Sequence, residues 1–196
     1  MIRLYVESAG GLWFGVAADD ESIFATTFAE DRKKALIKLI KAIPFNIPFT
    51  STKKPFKIAE KTILTLINIY SGKDTASDLP LNMNYLPGYM KRVLRTVARI
   101  PTGYVTSYGI VANAVGGSAR AVGRVMANNP FVLIVPCHRV VASDFSLGGY
   151  GGGLKAKLEI LSRERRGHAA DREISVNGNS LRIYPVERVI SKYSKE

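Results

Sequence analysis

The sequence predicts an α+β fold in which a small domain of strands and helices precedes a mainly helical domain. Three features predict this arrangement. Short apolar runs separated by a turn lie near the N-terminus, apolar residues recur at helical spacing in most later segments, and a polar, proline-containing stretch separates the two parts. The length of 196 residues allows one large or two small domains, and 46% hydrophobic with 22% charged residues is typical of a globular protein.

Residues 1–75 are predicted to form the N-terminal α+β domain. Residues 12–17 and 23–27 are apolar and β-branched runs separated by an acidic turn, which is typical of a β-hairpin. Apolar residues at helical spacing predict a helix that ends at Pro44, and a second helix over residues 58–70 follows a proline-rich basic connection. This part contains no ligand cluster and no phosphate-binding loop.

Residues 76–88 have the composition of a linker, because they are rich in Asp, Asn, Pro and Gly. The second domain is predicted over residues 89–167, and its first helix covers residues 89–100. Two short helices over residues 107–115 and 118–127 are joined by two glycines, which is the spacing of a helix-turn-helix.

Three further elements complete the prediction. Residues 131–135 form an apolar run that is too short for a helix and fits a buried strand or extended segment. A last helix of this domain begins at Leu154. The C-terminal extension, residues 168–196, is predicted as a hairpin around Asn177-Gly178 followed by a short basic helix.

The positive charge is concentrated in one part of the chain. Residues 86–167 carry 12 Lys and Arg against 3 Asp and Glu, so this segment accounts for +9 of the net charge of +12. Because a solvated surface normally mixes both signs, this excess favours a polyanionic partner, most often a nucleic acid.

The cysteine and histidine counts exclude several classes of protein. Cys137 is the only cysteine, so an internal disulfide is impossible, and His138 and His168 are too few for a structural Cys/His zinc site. We therefore expect no metal site, and because the sequence contains no cofactor-binding motif we also expect no cofactor. No apolar run approaches the ~18 residues of a membrane span, and the N-terminus has no signal-peptide pattern, so we expect a cytoplasmic protein without a membrane segment.

The predicted helix over residues 118–127 has an unusual surface. Ala119, Ala121 and Gly123 make it small on most sides, while Arg120 and Arg124 project from one face at i and i+4. Two interpretations remain open. The small residues either allow tight packing against another helix or allow this helix to enter a DNA groove, where an inserted arginine can fill the space of a displaced base.

The segment Pro136-Cys137-His138-Arg139 predicts a reactive thiol. A lone cysteine is more often inert, but a neighbouring base and a positive charge lower the pKa of a thiol and favour the nucleophilic thiolate. Adjacent residues on a strand point to opposite faces, so His138 can contact Cys137 only in a turn or through water. Glu164 is a candidate to orient His138, although its spacing alone favours a salt bridge with a neighbouring arginine: Arg163, Arg165 or Arg166.

Residues 136–141, Pro-Cys-His-Arg-Val-Val, resemble the active-site motif of the O6-alkylguanine-DNA alkyltransferases. Further matches to that family lie at residues 118–123, 128–130 and 150–154, the last together with Lys157 and Glu164. The resemblance is strong from Tyr89 to Gly167 and absent from residue 168 onward. It implies a ribonuclease-H-like N-terminal domain, a helix-turn-helix domain that flips the damaged base, and transfer of an alkyl group from O6-alkylguanine to the protein. O4-alkylthymine is a second candidate substrate.

The resemblance also implies roles for individual residues. Cys137 is the nucleophile and permanent alkyl acceptor, His138 the base that acts through a water, and Glu164 the group that orients His138. Asn129 braces the active-site turn, and Tyr150 donates a hydrogen bond to guanine N3. The implied substrate-binding residues are Met126, Val140, Tyr150 and Gly151, and the implied DNA-binding residues are Tyr108, Arg120, Ala121, Gly123, Arg124 and Ser143.

The implied partner is double-stranded DNA that carries O6-alkylguanine, and the protein is expected to act as a monomer. Gly151 departs from the family pattern, because many relatives have Ser or Arg there. Some relatives bind zinc through Cys and His in the N-terminal part, and this sequence has neither residue type there.

Two other functions compete with this prediction. A non-enzymatic helix-turn-helix regulator would explain the basic segment, but the Ala- and Gly-rich second helix offers few side chains that could contact base edges. A cysteine hydrolase would use Cys137 and His138, but the sequence has no evident oxyanion-hole motif.

Overall fold

The computed structural model describes residues 1–75, 78–176 and 178–194. Helices and sheets are both present, which confirms the predicted α+β class, and the chain divides into two compact units. Unit 1 comprises Met1–Tyr70, Asp74–Leu86 and Asn129–Ile134, and unit 2 comprises the rest. In the described residues no helix is both long and apolar enough to cross a membrane.

Unit 1 is a four-stranded sheet with two helices. Its elements are β1 (Ile2–Ala9), β2 (Leu12–Ala18), β3 (Ile23–Ala29), α1 (Arg32–Ala42), β4 (Phe49–Ser51) and α2 (Lys57–Tyr70). The strand order is β3-β2-β1-β4, with β4 parallel to β1 and the other pairs antiparallel. The predicted hairpin and both helices are confirmed. Strands β1 and β4 were not predicted, and β4 gave no apolar signal because its three residues are all exposed.

Local signals set the limits of α1. The carboxylate of Asp31 accepts a hydrogen bond from the backbone N–H of Lys34 at 2.7 Å, which caps the first turn, and Pro44 follows the helix end. Leu39 faces the sheet and packs in a buried cluster with Leu4 and Val6.

The described part of the predicted linker pairs with β3. Leu81 forms a parallel bridge with Ile23, whose N–H donates to Pro80 and whose carbonyl accepts from Asn82, both at 2.8 Å. The predicted linker over residues 76–88 therefore has backbone partners at residues 80–82, because the open edge of β3 offers them to an extended segment. Residues 76 and 77 lie outside the described residues.

The apolar run at residues 131–135 is buried at most of its positions but does not form a strand. Phe131 makes a single parallel bridge with Thr26, whose hydroxyl donates to the carbonyl of Val132 at 2.8 Å. Leu133 takes a φ of +73°, which ends the extended conformation. Of the two predicted alternatives, the strand is therefore wrong.

Unit 2 combines helices with a second four-stranded sheet. Its elements are α3 (Gly88–Val97), β5 (Tyr104–Ser107), α4 (Tyr108–Val115), α5 (Ala119–Ala127), β6 (Val140–Val141), α6 (Leu154–Arg163), β7 (Arg172–Val176), β8 (Asn179–Pro185) and α7 (Glu187–Tyr193). The strand order is β6-β5-β8-β7. The helices of this region were predicted. Strands β5 and β6 were not, because segments of 4 and 2 residues are too short to show the alternation of apolar and polar residues that marks a strand. Helices α4 and α5 are joined by glycines with positive φ, +83° at Gly116 and +99° at Gly117.

The C-terminal extension forms half of that sheet. Strands β7 and β8 make the predicted hairpin, although Asn177 of the predicted turn lies outside the described residues. Strand β8 also pairs antiparallel with β5, where Tyr104 lies opposite Pro185 and Val105 opposite Tyr184. The extension is therefore an integral part of unit 2.

Candidate active site

A short turn presents the cysteine. Residues Cys137–Arg139 form a single 3₁₀ turn in which the N–H of Arg139 donates to the carbonyl of Pro136 at 2.9 Å. The N–H of Cys137 donates to Val135 at 2.8 Å. Because Cys137 and His138 lie in a turn, their side chains are not forced to opposite faces as they would be in a strand. The two side chains were predicted to interact only in such a turn or through a bridging water.

Behind the cysteine lies a buried cluster of His138, Arg139 and Glu164. Nε2 of His138 is 2.9 Å from Oε1 of Glu164. The guanidinium of Arg139 donates to both carboxylate oxygens, at 2.7 Å to Oε1 and 2.9 Å to Oε2. Arg139 also donates to the carbonyl of Ile100 at 2.6 Å and to the hydroxyl of Thr102 at 3.0 Å.

The partner of Glu164 differs from the salt bridge that spacing alone favoured. That prediction named Arg163, Arg165 or Arg166, whereas Glu164 pairs with Arg139, 25 residues away in sequence. The reason is that the C-terminal end of α6 turns the Glu164 side chain into the interior, where it is fully buried. A buried carboxylate is costly unless it is paired and hydrogen-bonded, and Arg139 provides both the charge and the hydrogen bonds.

Burial and charge set the protonation of this cluster. Burial lowers the pKa of His138, and the charges of Arg139 and Lys157 lower it further, while Glu164 opposes the shift. His138 is therefore neutral at neutral pH. Burial alone would raise the pKa of Glu164, but His138 and Arg139 together lower it to about 2. Because a neutral imidazole carries no charge, we attribute the lowering at neutral pH mainly to Arg139.

The neutral His138 has one nitrogen available for proton transfer. Nε2 donates to Glu164, which leaves Nδ1 as the acceptor of the same ring. Nδ1 is buried and has no hydrogen-bond partner among residues 1–75, 78–176 and 178–194. The cluster therefore fixes the tautomer in which Nδ1 can accept a proton.

Lys157 is a second buried cation near the turn, and the sequence assigned it no role. Its ammonium donates to the carbonyl of Val140 at 2.6 Å and to that of Leu147 at 2.5 Å. Burial lowers the pKa of Lys157 to about 8, and the nearby Cys137 opposes that shift. A positive charge at this place favours the thiolate form of Cys137.

Cys137 opens into a cavity of about 460 Å³, which is in the range of small-ligand sites. The cavity is lined by Tyr108, Ala119, Gly123, Met126, Ala127, Cys137, Gly149, Tyr150 and Gly151. Six of these residues are sequence-predicted site residues. Ala119, Ala127 and Gly149 were missed as site residues, since small side chains carry no chemical signal of their own.

Tyr108 forms one wall of the cavity and leaves little room for a side chain at position 148, which is a glycine. Gly148 has a φ of +64°, and an added Cβ would lie 3.0 Å from the Tyr108 ring. The hydroxyl of Tyr108 also donates to the carbonyl of Gly149 at 3.3 Å. The loop before Tyr150 is thus held against Tyr108.

Helix α5 presents its small face to this cavity and its arginines to solvent. The hydroxyl of Ser118 caps the helix by accepting from the N–H of Ala121 at 3.2 Å. An added Cβ at Gly123 would meet no heavy atom within 4 Å, so tight helix packing does not explain this glycine. Arg120 and Arg124 are exposed.

Eight of the fourteen predicted site residues lie outside the cavity lining. Besides His138, Glu164 and three residues of α5 (Arg120, Ala121 and Arg124), these are Asn129, Val140 and Ser143. Asn129 belongs to unit 1, where its side-chain oxygen accepts from the N–H of Phe131 at 3.0 Å. Val140 is buried in β6, and Ser143 is exposed in the loop that follows β6. Within the part of the chain that the structure describes, no three His, Cys, Asp or Glu side chains are placed to hold a metal ion.

Comparison with known proteins assigns the region that contains the candidate site to a protein family. Residues 88–166 match the model of the 6-O-methylguanine DNA methyltransferase, DNA binding domain. The methylated-DNA–protein-cysteine methyltransferase of Methanothermobacter thermautotrophicus is 32% identical over 151 residues, which cover 76% of this chain and 78% of that protein. The protein of the same name from Pyrobaculum aerophilum is 54% identical over 74 residues, 38% of this chain.

Solved structures resemble a larger part of the fold. The O6-methylguanine-DNA methyltransferase of Pyrococcus kodakaraensis has a TM-score of 0.66 at 29% identity and covers 84% of this chain and 99% of its own. The Mycobacterium tuberculosis OGT in complex with DNA has a TM-score of 0.67 at 26% identity and covers 83% of this chain and 92% of its own.

These matches define a mixed α/β protein with a DNA-binding domain of the methyltransferase type. The chain belongs to the methylated-DNA–protein-cysteine methyltransferase family. The matches to the relatives from Pyrobaculum aerophilum and Mycolicibacterium paratuberculosis span 49% and 59% of those proteins.

Proposed function

We propose that this protein repairs alkylated DNA by moving the alkyl group from O6 of guanine to Sγ of Cys137, once per protein molecule. O4-alkylthymine is a second candidate substrate. The observation that carries the proposal is the position of Cys137, which lies at the wall of a cavity of about 460 Å³ and is followed by His138, whose ring is paired with the buried Glu164. No cofactor takes part.

The proton of the thiol has a defined path in this proposal. Nδ1 of His138 accepts the proton through a water, and the carboxylate of Glu164 stabilises the imidazolium that forms. The thiolate sulfur attacks the O-alkyl carbon, a C–S bond forms and the C–O bond breaks. The departing guanine takes up one proton through the hydrogen bond from Tyr150. The imidazolium of His138 releases its proton through water to restore the Tyr150 hydroxyl, so the products are an S-alkylcysteine and neutral guanine. The C–S bond of the thioether is stable to thiols and to water, so the alkyl group stays on Cys137.

The lining of the cavity fits recognition of guanine. Tyr150 donates to N3, so that guanine leaves as a neutral base, and the N–H of Gly151 approaches O6. Met126 forms the apolar wall. The carbonyls of Cys137 and Val140 accept from the exocyclic amine. The Val140 carbonyl already accepts from Lys157, but a carbonyl oxygen has two lone pairs and can accept twice.

Double-stranded DNA is the proposed partner, and the protein binds it as a monomer. Helices α4 and α5 act as a helix-turn-helix in the minor groove, which the open surface at Gly123 supports. Arg120 replaces the flipped nucleotide in the stack, and Tyr108 crowds its phosphate. Further DNA contacts come from Ala121, Gly123, Arg124 and Ser143.

Unit 1 has a supporting role in this proposal. Its strand order β3-β2-β1-β4 agrees with the ribonuclease-H-like domain that the resemblance implies. Asn129 holds the turn at residues 129–131 through the N–H of Phe131 and so braces the segment that leads to the cysteine.

The mass of a covalent adduct tests the proposal directly. The protein is incubated with O6-benzylguanine, and intact-mass and peptide mass spectrometry locate the added group. We expect one benzyl group on Cys137 and none in Cys137→Ser, whose folding is checked by circular dichroism. A folded wild-type protein that stays unmodified by both the free base and a duplex with O6-methylguanine contradicts the proposal.

A further inference from the structure

The C-terminal extension contacts the loop that completes the candidate site. The family model ends its match at residue 166, so the extension lies outside the matched domain. We propose that the extension positions residues 142–150, the loop that carries Tyr150, and that Lys192 and Tyr193 are positioning residues for alkyl transfer. This inference rests on the proposed function for its catalytic consequence.

Two polar contacts join α7 to the loop. The ammonium of Lys192 donates to the carboxylate of Asp144 at 2.8 Å and to the carbonyl of Asp144 at 3.0 Å. The hydroxyl oxygen of Tyr193 accepts from the backbone N–H of Leu147 at 3.1 Å. The hydrogen bond from Lys192 is the main cause of the lowered pKa of the Asp144 carboxyl. Both contacts use the loop backbone, so they restrain its path rather than one side chain.

Apolar contacts from the extension hold the same loop. Phe145 has a φ of +64°, a conformation that a bulky residue keeps only when its surroundings enforce it. Its ring meets the ring of Tyr184 edge-on at 5.1 Å, and the guanidinium of Arg188 lies 5.6 Å from the same ring. Leu147 is buried in a cluster with Val186 and other apolar residues of the extension.

Leu147 connects these contacts to the cavity. Its N–H donates to Tyr193 of the extension, and its carbonyl accepts from Lys157 beside Cys137. The next residues, Gly148 and Gly149, lie against Tyr108, and Tyr150 follows. Because the loop is held at Asp144, Phe145 and Leu147, the position of Tyr150 at the cavity is restrained as well.

The test uses the full chain with Lys192→Ala, Tyr193→Phe and both changes together. Lys33→Ala, which removes an exposed lysine from α1, is the control, and Lys192→Arg should restore the ion pair. Hydrogen exchange of residues 142–149, the rate of adduct formation with O6-benzylguanine and the Kd for duplex DNA are measured well below the melting temperature.

We expect faster exchange in the loop, and an adduct rate about tenfold lower in the double variant because the site loses preorganisation. The DNA Kd should not change, and Lys192→Arg should behave like the wild type. Wild-type exchange and rate in the double variant would overturn the inference. If the wild type forms no adduct but the double variant exchanges faster, the proposed function fails while the restraint of the loop stands.

Discussion

At the residue scale, Glu164 is the central group of the buried cluster, because it neutralises Arg139 and accepts a hydrogen bond from His138. We expect Glu164→Gln to destabilise the protein by about 3 to 5 kcal/mol, since it leaves the guanidinium of Arg139 buried without a counter-charge. Chemical denaturation measures the loss. The matched control is Glu159→Gln, which removes an exposed ion pair with Arg163 on the same helix and should cost less than about 0.5 kcal/mol. Equal losses in the two variants would show that the cluster does not depend on this charge.

The same carboxylate gives a prediction for pH. The pKa of Glu164 is lowered from 4.5 to about 2 in the folded protein, so its stabilising contribution is complete above about pH 4.5 and is lost as the pH falls toward 2. The difference in unfolding free energy between the wild type and Glu164→Gln should therefore be constant from pH 7 to 5 and shrink below pH 4.5. A difference that stays constant down to pH 2 would contradict the lowered pKa.

Individual residues were predictable from sequence only where their chemistry is local. Cys137, His138 and Arg139 are adjacent, so their combination is visible in the sequence. The pairing of Arg139 with Glu164 joins residues 25 positions apart and depends on how α6 packs. The burial of Lys157 is a similar case, because lysine is rarely buried and its sequence context gives no sign of it.

At the scale of elements, the role proposed for α5 separates DNA binding from the chemistry on the base. We expect Arg120→Ala to weaken duplex binding and to slow repair of O6-methylguanine in duplex DNA by about tenfold or more. Its reaction with free O6-benzylguanine should be nearly unchanged, because the free base needs no flipping. Single-turnover rates on the two substrates measure the separation.

The control for this variant is Arg32→Ala, which removes an exposed arginine from α1 in unit 1. It should leave both rates at the wild-type values. An equal loss on free base and duplex in Arg120→Ala would instead place Arg120 in the reaction with the base or in the stability of α5.

Element prediction succeeded where the apolar period is long enough to be recognised. Helices α2 and α6 run for 14 and 10 residues and show their buried faces in the sequence. Strands β4 and β6, with 3 and 2 residues, are too short for any period. The pairing of β8 with β5 could not be predicted, because it joins residues about 80 positions apart and depends on an edge that the sequence does not reveal.

At the scale of the whole molecule, the structure shows how much of the positive charge of residues 86–167 lies on the surface. Of the charged residues between 86 and 167, Arg139, Lys157 and Glu164 are buried in the candidate site. Ten Lys and Arg and two Asp and Glu of this segment therefore remain for the surface, a net charge of +8. The excess of positive charge is thus a property of the surface, while the three buried charges belong to the interior of the candidate site.

A surface of this kind predicts DNA binding that is dominated by phosphates. If the protein neutralises about six phosphates, its affinity for a duplex should fall by about a thousandfold between about 50 and 200 mM salt. Fluorescence anisotropy at several salt concentrations measures the slope, and duplexes of unrelated sequence serve as controls. We expect similar Kd values for all undamaged duplexes, because α5 offers few side chains that can contact base edges. A footprint that is sequence-specific and nearly independent of salt would instead favour a helix-turn-helix regulator, since such a protein gains its affinity from base contacts.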